Sequence, residues 1–378
     1  MNMRRSHAPF LCVAAAMCAS VTSVQAQQHS VRISSEVEQI ENPMLAPVSP
    51  GSVTVRRLAP SYTYETQDDR SQSRFSASAV LENSSNTMLL ASRTYPSLGY
   101  TWGYNWPTSS LELRANLTES ATRNTELRDL GLVTVDTLER QFLTGATWNK
   151  DLAARTRLTL NALNRRVTYD SPLRQNFLEQ QVTSRLAWEA TERTSYYFEP
   201  GYGRLAPSGG VGEDSLMSRW LAGVQSAWGP DWTLTASAGQ ARIHGSQSNA
   251  DIIGGLRLAY SGSRLTSEVE WAKSVQAIGG IIQTIDSVAG YVRTESLRFR
   301  VGYQLTEGAT ISASMMRSRS SGVISAVGTV FNLAFEQELA ANWLLVLGAD
   351  DRRSTNDLGV SGRGWAARAA VVYLFPGH

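Results

Sequence analysis

The chain has 378 residues, 42% of them hydrophobic and 18% charged, and its 35 Lys+Arg against 33 Asp+Glu give a formal net charge of +2. A balance this close to zero excludes binding to nucleic acid through a global basic field. The two cysteines are Cys12 and Cys18, both in a leader-like start, so the remainder can form neither a disulfide nor a thiolate metal site.

Residues 1–26 read as a secretory signal peptide. Arg4 and Arg5 give a charged start, Phe10 to Val24 an apolar run, and Val24-Gln25-Ala26 a small-residue cleavage site. The run is too short to span a bilayer, and no other stretch approaches the roughly 20 apolar residues of a transmembrane helix. Met17 stands where a lipoprotein box carries a small residue, which argues against a lipid anchor. Removing Arg4 and Arg5 leaves 35 − 2 = 33 basic residues against 33 acidic ones. Lys150 and Lys273 are the only lysines. The arginine excess reads either as codon bias or as a supply of planar forks for carboxylate or phosphate in a pore.

Residues 27–60 are polar, weakly periodic and broken by Pro43, Pro47, Pro50 and Pro60. They are expected to form a flexible periplasmic segment, with a lumen plug as the alternative. Residues 61–378 are expected to form the barrel. From about Arg74 onward, period-2 alternation recurs in segments of roughly ten residues, the length of a tilted membrane-crossing strand. A repeated unit closes one strand on an aromatic and opens the next with Thr, Ser or Leu. Ala146-Thr147-Trp148 runs into Arg157-Leu158-Thr159-Leu160, Leu186-Ala187-Trp188 into Ser195-Tyr196-Tyr197-Phe198, and Ala227-Trp228 into Trp232-Thr233-Leu234-Thr235. Short turns near Asn149, Ala190, Pro230, Gly262, Glu307 and Ala341 alternate with longer polar stretches near Asp170, Gly210, Ser246, Gly280, Ser321 and Thr355. Short periplasmic turns and long extracellular loops produce that asymmetry. The fold class is therefore all-β, a transmembrane antiparallel up-and-down β-barrel. Fourteen segments count back from the last strand to Leu111, and the region from Arg74 to Trp106 adds two, giving about 16 strands within a range of 14 to 18. Pro96 and Pro200 are expected at bulges or strand ends, because proline removes a ladder donor.

The alternation sorts side chains by face. Trp148, Trp188, Trp228, Trp232, Tyr260, Tyr303 and Trp343 flank the short turns as an aromatic girdle. The polar faces offer Arg114, Arg185, Arg219, Arg257, Glu268, Glu270, Arg298, Arg300, Glu336 and Arg368 as lumen-facing candidates. With both signs present, these read as wall-stiffening ion pairs, as a conduit for polar solutes, or as both. Glu268 and Glu270 are expected to bridge to Arg298 and Arg300 on the next strand.

The ending Arg368-Ala369-Ala370-Val371-Val372-Tyr373-Leu374-Phe375 resembles the C-terminal assembly signal of outer-membrane proteins. Ala370 replaces the usual glycine, and Pro376-Gly377-His378 extend past the terminal aromatic. The resemblance implies that Tyr373 and Phe375 engage the barrel-assembly machinery. Glu192-Arg193-Thr194-Ser195-Tyr196-Tyr197, Arg155-Thr156-Arg157-Leu158-Thr159-Leu160-Asn161-Ala162 and Tyr95-Pro96-Ser97-Leu98-Gly99-Tyr100 resemble the strand texture of the β-barrel porin 2 family. That family implies an outer-membrane protein of a Gram-negative bacterium associated with exopolysaccharide or capsule biosynthesis, with polysaccharide or export machinery as partners beside outer-membrane lipid. It supplies no catalytic motif.

No catalytic, cofactor or metal site is expected. His244 lies near Ser246 and Ser248 but reads as a loop-end histidine. Asp350 and Asp351 are adjacent on a strand and point to opposite faces, so they cannot converge alone on a cation. Two other classes stay open: an outer-membrane barrel enzyme acting on lipid or peptide, and a secreted soluble all-β adhesin-like protein.

Overall fold

The computed structural model describes residues 26–130, 136–208, 213–245, 249–278, 290–321 and 325–375. All of the expected signal peptide except Ala26 lies outside them. The first nine strands are β1 (Ala26–Glu41), β2 (Ser52–Gln67), β3 (Ser71–Ser84), β4 (Arg93–Trp106), β5 (Ser109–Ala121), β6 (Leu138–Ala153), β7 (Thr156–Tyr169), β8 (Phe177–Thr191) and β9 (Thr194–Pro207). The second nine are β10 (Ser215–Trp228), β11 (Trp232–His244), β12 (Asn249–Ser261), β13 (Leu265–Ile278), β14 (Gly290–Thr306), β15 (Ala309–Ser321), β16 (Ala326–Ala340), β17 (Trp343–Asn356) and β18 (Ser361–Phe375). A helix, α1 (Thr122–Leu130), lies between β5 and β6.

Each strand pairs antiparallel with its sequence neighbours, and β1 closes the ring on β18, Val31 facing Phe375 through to Ile40 facing Ala366. Closure removes every edge, which a sheet surrounded by hydrocarbon requires. All short turns fall at one end of the barrel, and the β6–β7, β8–β9, β14–β15 and β16–β17 turns each have a register shift beside them. Such bulges let a two-residue connection match the twist of its strands.

Contacts between strands that are not neighbours identify the inner face, because only the lumen permits them. Arg352 on β17 reaches across β18 to Glu38 on β1 at 3.4 Å. Outside, large apolar side chains such as Leu297, Phe299, Tyr303 and Leu305 on β14 stay exposed, as a lipid-facing band requires.

The ring has 18 strands where the count from sequence gave about 16. The two additional strands are β1 and β2, so residues 27–60 are mostly wall rather than a flexible segment. Pro43, Pro47 and Pro50 all fall in the 42–51 loop between them. The outward positions of β1 include Gln27, His29, Ser35 and Gln39, which blurs the apolar alternation that marks the other strands. The expectation for the prolines also needs correcting. Pro60 and Pro200 lie mid-strand without a bulge: β2–β3 pairing skips from Leu58 to Ser61 and β8–β9 pairing from Thr183 to Leu186, each resuming in register. Each proline keeps its partner on the other side, Ile33 and Trp220. Pro96 lies one residue beyond the end of the β4–β5 ladder at Ser97. Hydrogen bonds alternate between a strand's two flanks, so one missing N–H weakens one seam and spares the other.

The 42–51 loop folds inward onto β18. Asn42, at φ 49°, donates through Nδ2 to the carbonyls of Ala46 (2.7 Å) and Arg363 (2.8 Å), and its Oδ1 accepts from the Ala46 N–H at 2.9 Å. Below it Ile40, Val53, Val55, Leu90 and Ala366 form a small buried cluster. Only glycine fits beneath the loop at position 362, since a Cβ there would stand 1.7 Å from the Leu45 carbonyl oxygen. Gly362→Val is therefore expected to lift the loop and cost about 1–3 kcal/mol of overpacking. Thermal unfolding in detergent should fall and the 42–51 loop should become a protease site; an unchanged melting curve and digestion pattern would contradict this packing.

Candidate functional site: a charged constriction

Nothing in the sequence Thr122–Leu130 would hold an isolated helix together: it has no acidic residue in its first turn and no apolar stripe, and helices this short are marginal in water. Tertiary contacts hold it instead. At the stem, Thr122 N–H donates to the Thr137 carbonyl (2.9 Å) and the Thr137 N–H donates to Thr122 Oγ1 (3.1 Å). On the far wall, Ser318 Oγ of β15 donates to the Leu127 carbonyl at 3.3 Å. The helix thus leaves β5 and touches β15, roughly opposite it in the ring, so the β5–β6 connection crosses the lumen.

Arg123 locks the near end. Its guanidinium donates to Glu82 of β3 at 2.5 Å and to Asp136 at 2.8 Å. Glu82 also accepts from Arg57 of β2 at 2.8 Å and from the Tyr95 hydroxyl at 3.2 Å. Arg57 in turn holds Glu38 at 2.5 Å and contacts Glu36. Arg93 donates to Asp136 at 3.1 Å, and Arg352 to Glu38 at 3.4 Å and Asp350 at 2.9 Å. Burial alone would push the Arg123 guanidinium down, but Glu82 and Asp136 outweigh it and hold it above its ordinary value. Arg123 therefore stays charged at any pH at which the barrel is folded.

A second element narrows the mouth. Pairing between β12 and β13 stops at Gly254 and Lys273, whereas β13 and β14 stay paired up to Ile278 and Gly290. Above that point the β13–β14 hairpin leaves the wall and turns inward. Ala277 joins Val167, Phe177 and Leu205 in a buried cluster with Tyr169 and Tyr291 packed on it, and the Ala277 carbonyl accepts from Arg165 of β7 at 3.3 Å. Arg293 contacts Asp251 on the inner face of β12.

Strand register places all ten polar-face candidates on the inner side. Arg257 pairs with Glu268 (2.6 Å), Arg298 with Glu270 (3.2 Å), and Arg185 and Arg219 both with Glu199 (2.7 and 3.3 Å). Glu268 thus goes to Arg257 on the preceding strand, while Arg300, which faces it in register, is not its partner; the expected bridge holds for Glu270 only. Among the described residues no ion pair is found for Arg114, Arg300, Arg368 or Glu336. Arg114, Arg219 and Arg368 each lie against an inward glycine of the adjacent strand. A Cβ at Gly145, Gly201 or Gly348 would meet the arginine Nε at 2.7, 3.0 and 2.7 Å respectively. Reading that pairing from sequence requires the strand register, which alternation alone does not give.

The seven girdle aromatics face outward beside the short turns. Trp188 stacks on Tyr196 at 6.1 Å, Trp232 meets Tyr260 at 4.9 Å and Trp343 meets Tyr373 at 4.7 Å. Trp228 opposes Trp232 across the β10–β11 turn, Trp148 faces Leu111 and Leu160, and Tyr303 faces Leu265 and Ile311. Tyr373 and Phe375 also point outward, their rings 4.5 Å apart. His244 lies outside the lumen by strand parity; Ser246 and Ser248 fall outside the described residues.

Beside α1 is a recess of about 190 Å³ lined by Arg57, Arg123, Arg352 and Arg368 with Glu38, Asn124, Ile40 and Pro43. Four guanidiniums to one carboxylate make it locally cationic, although Arg57, Arg123 and Arg352 are partly neutralised from behind. A larger hollow of about 500 Å³ at the loop stem sets Arg93 against Asp136 and Asp170 and lacks that bias.

No family model and no curated protein sequence matches the chain. Solved structures do. A BenF-like porin from Pseudomonas fluorescens Pf-5 superposes with a TM-score of 0.56 at 10% identity, covering 93% of this chain and 99% of that one. Acinetobacter baumannii OccAB4 gives 0.54 at 10% identity over 93% and 98%. Pseudomonas aeruginosa OpdK, solved with vanillate, gives 0.52 at 10% identity over 93% and 99%. These are likenesses of fold. The protein is an outer-membrane-type β-barrel, closed and banded for lipid.

Removing one partner of a buried pair leaves an uncompensated charge. Arg123→Met is expected to cost about 3–5 kcal/mol locally and to expose the 122–137 connection to protease, while Arg123→Met with Glu82→Gln should recover part of that protection. A single variant as resistant as the parent would show that the ion network does not hold α1.

Proposed function

We propose that this protein is a non-enzymatic outer-membrane channel for small polar solutes, and that the recess beside α1 favours solutes bearing a carboxylate. One observation carries the reading: a lumen wide enough for water is crossed by a helix whose anchoring arginines also line a cationic recess. Rings of 16 to 18 strands leave an aqueous channel, and inward loops convert such a channel into a selective one by bringing charged groups within reach of the solute. Guanidiniums suit carboxylates because they offer two parallel donors. OpdK, of similar fold, was solved with the carboxylate vanillate, which agrees with this chemistry. Passage of an exopolysaccharide rests on the family resemblance alone, and a helix spanning the lumen leaves less room for an extended sugar chain than for a small solute. We also infer that Tyr373 and Phe375 serve assembly, since both are outward and near the end of the closing strand, Tyr373 half-buried and Phe375 exposed.

Arg300 and Arg368 are the best probes because neither is tied into an ion pair among the described residues. Reversal potentials across a planar bilayer should show that Arg300→Gln with Arg368→Gln lowers the anion-to-cation permeability ratio about threefold, the loss of roughly 0.7 kcal/mol of screened attraction. Glu336→Gln should move the ratio the other way, and benzoate flux into liposomes should fall in the arginine variant. Ratios that do not move in either variant would sink the selectivity reading.

A further inference from the structure

On the outer face of β13 to β18 strand register sets side chains in rows. Val269, Phe299, Met315, Phe331, Asp351 and Trp365 form one row. The next row toward the long-loop end changes character, with Arg317, Thr329, Arg353 and Arg363 side by side across β15 to β18. Arg319 stands one outward position above Arg317 on β15. All four arginines are exposed. Asp351 binds Arg353 (2.9 Å) and Arg363 (2.8 Å), and Glu295, which faces Arg319 in register, accepts instead from the Trp271 indole at 2.8 Å. Among the described residues no ion pair is found for Arg317 or Arg319. The four arginines and Lys273, which faces Glu295 in register, give +5 against −2 from Asp351 and Glu295, a net +3. Elsewhere on the outer rim Arg140 and Arg204 are each matched by one carboxylate, Glu119 and Asp214, and the exposed outward Arg56, Arg166 and Arg242 stand singly on β2, β7 and β11 rather than side by side.

The height of the row decides what meets it. Tyr373, in the girdle beside the short turns, is ten residues below Arg363 on β18. At about 3.4 Å per residue and a tilt of about 40° this is roughly 25 Å along the membrane normal, the height of a barrel's apolar band. With the short-turn girdle at the inner headgroups, the arginine row falls at the headgroup level of the outer leaflet. Trp365 and Trp271 mark the same boundary.

We propose that this patch is a binding site for the phosphate groups of a phosphorylated glycolipid of the outer leaflet, its acyl chains lying on the apolar rows below and its phosphates taken by Arg317, Arg319, Arg353 and Arg363. Guanidinium forks match phosphate oxygens, and Arg317 and Arg319, for which no ion pair is found among the described residues, are the ones a lipid would satisfy. The site is on the opposite side of the wall from the lumen and independent of transport.

The test is native mass spectrometry of the refolded protein after exchange from vesicles of phosphatidylcholine with bisphosphorylated lipid A, with its dephosphorylated form, or with phosphatidylglycerol. The parent should retain the bisphosphorylated glycolipid through detergent exchange and neither of the others. Arg317→Gln with Arg319→Gln, which breaks no ion pair found among the described residues, should reduce retention at least about tenfold, as expected for losing two charge-assisted contacts, with heat-modifiable mobility intact. Equal retention of the phosphorylated and dephosphorylated forms, equal retention of phosphatidylglycerol, or undiminished binding by the double variant would each overturn the proposal.

Discussion

Everything in this structure follows from the need to pair every backbone N–H and C=O of a chain surrounded by hydrocarbon. An unpaired peptide group in lipid costs several kcal/mol, so the sheet must close on itself. Closure is made by β1 lying between β18 and β2. It fixes the strand number, and the strand number fixes a lumen too wide for side chains from the wall to fill. The contents of the lumen must then come from the loops. That is why the 42–51 loop, α1 and the upper β13–β14 hairpin all turn inward, each satisfying polar groups against the inner wall.

The same constraint separates two uses of arginine. Inside, most guanidiniums are held by carboxylates on adjacent strands, and three lie over glycines that leave space along the wall. Buried pairs of this kind contribute little net stability, because desolvation offsets most of the attraction. Their consequence is positional: with Glu82 shared by Arg57 and Arg123, the start of α1 can be placed against β3 only one way. Outside, exposed arginines gather where the apolar band ends, and among the described residues no ion pair is found for Arg317 or Arg319 in the row across β15 to β18.

Strands β3 to β18 could be read from the sequence because alternation recurs along them, and from β5 onward terminal aromatics and the contrast of short turns with long loops agree with it. β1 and β2 could not, since the prolines between them imitate a linker and the outward side of β1 carries Gln27, His29 and Ser35 among its apolar residues. The inner position of the ten polar-face residues follows from alternation alone. Their partners do not: Glu268 had arginines on both neighbouring strands, and only register and tilt select Arg257. α1 was invisible because Thr122–Leu130 has no apolar stripe. Its helix exists through Thr137 at the stem of its own loop and through Glu82 and Ser318, which are distant in sequence. The recess that α1 completes was unreadable for the same reason, although Arg368, which lines it, was among the lumen-facing candidates.

The central claim, that the aperture is set by a helix held across an otherwise wide ring, is tested most directly by single-channel conductance of a variant in which residues 123–135 are replaced by a short Gly-Ser link between Thr122 and Asp136. The account predicts a stable barrel whose conductance rises several-fold, toward that of an unobstructed channel, with weaker discrimination between ions. A correctly folded, heat-modifiable variant with the conductance and selectivity of the parent would contradict it.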